Sequence, residues 1–286
     1  MMKKFSTFLF SFVPFLIGFG IQYFIVIYFA ILAAIFMLGV GPILSGTNYS
    51  SDDLMTLFAD MNFNTIVMIA FSVSCIATFG IWYYKSCGGN YRFSMKKDFH
   101  PLQLGGLLIM LPGTQFATSL LMSILTVIFP KWWEEYQALM EANGLDGEVP
   151  VLMMIYSVCL APISEELIFR GVTMRIARRA FPFWAANIIQ AVLFGVFHMN
   201  WLQGCYAFAL GLILGYICER GGSIYYSILF HFLFNLWGTT SQWLNSVNEY
   251  VLSAIILGST FIVLPLGFLM FRQGIIKKKE TIPTAI

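Results

Sequence analysis

Residues 161–172 read APISEELIFRGV, an apolar run interrupted by two adjacent carboxylates, Glu165 and Glu166, and by one guanidinium, Arg170. The apolar sequence around it, near 150–172, is long enough to cross a bilayer as a helix. A charged side chain at the centre of an inserting helix costs about 2.5–3.5 kcal/mol, so three that are dry and unpaired would cost on the order of 8–10 kcal/mol. Pairing or hydration must therefore remove most of that cost. Glu166 and Arg170 stand four apart on one helical face and can neutralise each other. Glu165 points about 100° away from Glu166, so its carboxylate must face water, a metal or another helix. Pro162, three residues earlier, is expected to kink the helix and to free backbone carbonyls close by.

The rest of the chain shares this apolar character. Of its 286 residues, 59% are hydrophobic, 17% aromatic and only 10% charged, against roughly a quarter charged in soluble domains. The expected fold is all-α: a polytopic transmembrane helical bundle. Apolar runs near 8–44, 62–84, 104–129, 150–172, 183–199, 203–219, 224–240 and 251–271 give about eight spans of the required length. The first is long enough for a tilted or kinked span, or for a tight hairpin. The polar connections are too short for a core of their own, which makes 1–286 a single membrane-embedded domain. A formal charge of +2 argues against a nucleic-acid partner.

The positions of the charges are more informative than their sum. With the N-terminus inside, every one of the 16 Lys and Arg residues except Lys131 falls on the cytoplasmic side, counting Arg170 by its helix end. Losing one span would scatter the later charges, so the expectation is an even number of spans with both termini cytoplasmic. Acidic residues gather in the outer loops: Asp52, Asp53, Asp60, Glu134, Glu135, Glu141, Asp146 and Glu148. In KWWEEYQALMEANG (131–144), Trp133, Tyr136 and Met140 share one helical face, which suits a helix lying in the headgroup layer more than a lid over a site. The five cysteines show no paired spacing, so neither a disulfide framework nor a thiolate metal site is expected. Ala207, Gly211 and Gly215 form a small-x-x-x-small ladder, read as helix packing.

Partners for Glu165 are few. Of the three histidines, His100 lies in a basic loop and is expected to face solvent, whereas His198 and His231 lie inside apolar runs. His231 and Asn235 are four apart, so imidazole and carboxamide project from one face. Phe194 stands one turn from His198, and Gln190 and Asn187 extend that face as a polar seam. Singly, each such residue is explained by an interhelical hydrogen bond. Together, two glutamates, two histidines and an asparagine on three helices suit activation of water, and imidazoles near a carboxylate also suit a divalent metal.

In order along the chain, Glu165-Glu166-x-x-x-Arg170, Phe194-x-x-x-His198 and His231-x-x-x-Asn235 resemble the three motifs of the CPBP family. That family comprises CAAX prenyl endopeptidases, bacteriocin-processing enzymes and Abi immunity proteins. All three motifs are complete, and the likeness covers about residues 104–240, a family-like catalytic core. The resemblance implies an intramembrane endopeptidase acting on a membrane-associated peptide or protein, in the plasma membrane of a bacterium, with its cavity facing the cytoplasm. Carried onto this chain, Glu165 would activate water with help from His198. His231 and Asn235 would complete a metal site or donate to the oxyanion, and Glu166 and Arg170 would hold geometry and charge balance. A zinc ion held by His198, His231 and Glu165 and a metal-free route through glutamate both stay open, because two histidines and a carboxylate suffice for catalytic zinc. An ion-coupled transporter and a non-proteolytic immunity or scaffold protein are the alternatives from other classes. Counting about 1.5 Å per residue from the basic helix ends places Glu165 and His231 at similar depths and His198 deeper.

Overall fold

The computed structural model describes residues 2–46, 48–87, 99–143, 145 and 149–281. Arg92, Lys96, Lys97, Asp146 and Glu148, named in the charge pattern above, lie outside the described residues. Among the described residues all regular structure is helical. In chain order the helices are α1 (Lys4–Leu44), α2 (Ser51–Ala59), α3 (Met61–Ser86), α4 (Pro101–Ile128), α5 (Pro130–Ala142), α6 (Val151–Arg178), α7 (Phe183–Phe197), α8 (Trp201–Gly221), α9 (Ile224–Thr240) and α10 (Glu249–Lys278). The chain is a polytopic helical bundle.

Each apolar run read from the sequence is a helix, and among the described residues six are long and apolar enough to cross a membrane: α1, α3, α4, α6, α8 and α10. α7 and α9 have 15 and 17 residues and extend about 22–25 Å, short of the roughly 30 Å hydrocarbon layer. The first run forms one helical path with a turn at Ser11–Phe12 rather than a hairpin. Two expected loop features are ordered. Ser50 and Asp53 form a reciprocal capping box that starts α2, and hydrogen bonds from the Ser50 amide and hydroxyl hold the Asp53 carboxyl below its usual range. His100, expected to face solvent, caps α4 by accepting the Leu102 N–H at Nδ1, while its backbone N–H donates to the Tyr226 hydroxyl.

Four of the basic residues, Arg175, Arg178, Arg220 and Lys278, lie at one end of the bundle. There Arg175 lies over Tyr83, Arg220 over Phe183 and Lys278 over Tyr226, and Arg178 pairs with Glu219 at 2.9 Å. These contacts join the ends of α3, α6, α7, α8, α9 and α10. At the other end α5 packs on the start of α8, through Trp132 stacked on Trp201 and Tyr136 against Tyr206. Of the face read from the sequence, Tyr136 takes part in this contact and Trp133 is 39% exposed, while Trp132 is an additional packing residue.

Prolines shape three of the spanning helices in the same way. π-helical turns at Phe36–Val40, Ile155–Leu160 and Ser259–Val263 each end two residues before a proline, at Pro42, Pro162 and Pro265. In each, the residue before the proline donates its N–H five residues back: Gly41 to Phe36, Ala161 to Tyr156 and Leu264 to Ser259. A proline ring inside a helix collides with the carbonyl four residues earlier and supplies no N–H of its own. Widening the preceding turn by one residue moves that carbonyl aside without breaking the helix, a usual way for a helix to absorb a local fault.

Close helix approach completes the scaffold. α4 and α10 meet where Gly267 has no side chain, since a Cβ there would lie 2.6 Å from the Met110 backbone nitrogen. α7 and α8 meet along the small-residue ladder. Gly215 makes room for the Asn187 carboxamide, whose Nδ2 donates to the Leu212 carbonyl at 3.0 Å and whose Oδ1 accepts from Gln190 at 2.7 Å. The polar seam on α7 is thus tied to the backbone of α8, which is why small residues are needed there. Gly215→Ala should push the Asn187 side chain out of this slot. The expected cost is about 1–3 kcal/mol, as for overpacking elsewhere, read as a lower unfolding midpoint in detergent micelles.

Candidate active site

Glu165 and Glu166 sit on the short α-helical stretch Ala161–Glu166 of α6, between the π-turn of Ile155–Leu160 and a second π segment, Leu167–Met174. Consecutive helical residues face different ways, and here the two carboxylates separate in environment. Glu166 is fully buried, whereas the Glu165 side chain is 12% exposed. Arg170 NH1 donates to Glu166 Oε1 at 2.8 Å, with both groups entirely buried, so the expected i, i+4 ion pair is present. The guanidinium also lies 4.4 Å from the Phe194 ring centroid, and NH2 reaches the Gly211 carbonyl at 3.4 Å. Arg170 therefore ties α6 to α7 and α8.

His231, nearly buried on α9, lies between the two carboxylates. Its Nδ1 is 3.0 Å from Glu166 Oε1, and its Nε2 is 3.7 Å from Glu165 Oε2. The second distance is long for a hydrogen bond and short enough for electrostatic contact. A carboxylate that already accepts from Arg170 has only acceptor sites to offer, which assigns the proton to Nδ1 and leaves Nε2 turned to Glu165. The series Arg170–Glu166–His231–Glu165 thus runs from a buried, fixed end to a partly exposed one.

Phe194 is the apolar centre of the site. Its ring packs against His198 at 5.1 Å, His231 at 5.8 Å and Phe169 at 5.1 Å between centroids, in addition to Arg170. One side chain of the second motif therefore touches members of all three. His198 joins the site through this ring and, among the described residues, has no direct hydrogen bond to Glu165, Glu166 or His231. Phe194 contacts His231 and Arg170, and His198 follows it by one helical turn. The chain turns there, with Met199 in the left-handed region at φ 53° and Asn200 accepting the Gln203 N–H to begin α8. A left-handed residue ends a helix abruptly, and His198 is the last residue before it.

Asn235 follows His231 by one turn on α9 but does not bond to the carboxylates. Its Nδ2 donates to the Ser157 carbonyl at 2.8 Å, in the π-turn of α6. Residue types alone gave no sign of this carbonyl or of that of Gly211. Pro162 was the signal for the first, and the small-residue ladder for the second. Among the described residues no three His, Cys, Asp or Glu side chains converge to hold a metal ion. His198, His231 and Glu165 do not form such a group.

The family model described as Type II CAAX prenyl endopeptidase Rce1-like matches residues 147–237. A protein of Bacillus subtilis (strain 168) named "Putative membrane peptidase YdiL" is 29% identical over 100 residues, which is 35% of this chain and 41% of that protein. The chain thus spans less than half the length of that relative. No solved structure matches the chain. α6 to α9, with the cluster built from Glu165, Glu166, Arg170, Phe194, His198, His231 and Asn235, fall within or overlap the matched residues, whereas α1 to α5 and α10 lie outside them. Over residues 147–237 the chain is similar to that endopeptidase family, and all three motifs lie within the matched stretch.

Proposed function

We propose that this protein is an intramembrane endopeptidase that hydrolyses a peptide bond in a membrane-associated peptide or protein. The observation that carries the reading is the graded series Arg170–Glu166–His231–Glu165, which leaves one carboxylate fixed and dry and the other open to water. Glu165 is the general base. It takes a proton from a bound water as the water oxygen attacks the scissile carbonyl carbon, and returns it to the amine nitrogen as the C–N bond breaks. The products are a carboxylate and an amine. Glu166, held by Arg170, fixes the tautomer and ring orientation of His231, as a carboxylate does for a catalytic histidine elsewhere. His231 shares the proton with Glu165 at Nε2. Asn235 retains a second N–H that can serve the oxyanion of the tetrahedral intermediate. His198 borders the same space across Phe194.

The clustering of basic residues at one end supports a cytoplasmic placement of that end, with the site entered from the cytoplasmic side of a bacterial plasma membrane. The matches to a prenyl endopeptidase family and to a protein named as a membrane peptidase support the reaction class. Comparing new protein N-termini in membranes of cells that express the wild type or Glu165→Gln tests it. Products present only with the wild type are expected. Identical profiles, together with proton or solute movement in liposomes that hold the purified protein, would favour transport instead.

A further inference from the structure

We infer that Pro162 is a positioning residue for Asn235: by leaving the Ser157 carbonyl without a helical donor, it creates the anchor that orients the Asn235 carboxamide. The inference rests on the endopeptidase reading for its effect on rate, but not for the structural coupling itself. The Ser157 carbonyl has two possible donors within its own helix. In an α-helical turn it would be the N–H of Ala161, which instead goes to Tyr156; in a π-turn it would be residue 162, which as proline has none. Such a carbonyl in a membrane core is costly unless something donates to it. Asn235 does so from α9, at 2.8 Å.

The consequence is geometric. An amide side chain has two terminal N–H groups in a fixed plane. Once one is bound to the Ser157 carbonyl, the direction of the other is set, and so is the side chain's place one turn from His231. Through one backbone carbonyl the proline of α6 thus sets the donor on α9. Among the described residues no other hydrogen bond of the site joins these two helices through backbone on one side and a motif side chain on the other.

Pro162→Ala restores an N–H at position 162 and removes the reason for the free carbonyl. In wild-type protein in nanodiscs, with asparagine side chains labelled with 15N, the Asn235 N–H bound to Ser157 should exchange slowly with solvent. In P162A it should exchange at least about 10-fold faster. Misplacement of a catalytic group by about 1 Å costs roughly 10²-fold, so kcat of P162A should fall toward that amount while KM stays near the wild-type value. The double variant P162A/N235A should be no slower than N235A alone. Wild-type protection and kcat in P162A, or effects that multiply in the double variant, would overturn the coupling. Should P162A fail to fold, Asn235→Ala leaves the π-turn in place: a 13C label on the Ser157 carbonyl must then shift as its donor is lost, and an unmoved resonance overturns the pairing. If the wild type cleaves nothing, the endopeptidase reading fails, and the two spectroscopic results alone decide the inference.

Discussion

Glu165→Gln should lower the rate of peptide cleavage by roughly 10²–10⁴-fold, the usual contribution of a general base, while the unfolding midpoint stays at the wild-type value. The two effects separate because of where the carboxylate sits. Gln keeps the volume and a carbonyl oxygen but cannot take a proton from water. Glu165 is 12% exposed and 3.7 Å from His231, so little packing or pairing is lost with its charge. Its neighbour behaves oppositely. Glu166 is wholly buried and engages Arg170 and His231 together, so Glu166→Gln should lower both stability and activity. Single-turnover cleavage by purified protein in liposomes, with a melting curve for each variant, distinguishes the two. Full activity in Glu165→Gln would remove this residue from the role of base and with it the proposed mechanism.

Arg170→Met should destabilise the fold by about 3–5 kcal/mol, the cost of leaving one member of a buried ion pair without its partner. Glu166 would then lie at zero exposure with no cation beside it, and the Gly211 carbonyl and the Phe194 ring would lose their contacts with the guanidinium. Adding Glu166→Gln removes the uncompensated charge, so the double variant should recover a large part of the loss. Non-additivity in a double-mutant cycle, measured by unfolding in detergent micelles, is the test. Arg170→Lys should recover less, since an ammonium cannot span Glu166, the Gly211 carbonyl and the Phe194 face as one flat guanidinium does. Equal stability of the wild type and Arg170→Met would show that the pair contributes nothing to the fold.

Much of the architecture was legible because membranes impose a one-dimensional rule. A helix must be apolar over about 20 residues to cross the hydrocarbon, and each run that met this condition is a helix here. The Glu166–Arg170 pair was equally legible, since helix geometry places i and i+4 side by side whatever surrounds them. Trp132 was less so: which face of a short amphipathic helix packs is decided by what lies beneath it, here Trp201 at the start of α8.

Taken alone, the sequence determined the helices and picked out the ionisable residues of the candidate site, because these follow from hydropathy, charge and local helical periodicity. Only the tertiary structure decided that His231 stands between the two glutamates, that His198 reaches the site across Phe194, and that Asn235 is spent partly on the Ser157 carbonyl. Those relations depend on how each helix is rotated and shifted against its neighbours. That choice is made by packing, at Gly215 and Gly267 and at the proline-widened turn of α6, and no spacing within a single segment encodes it.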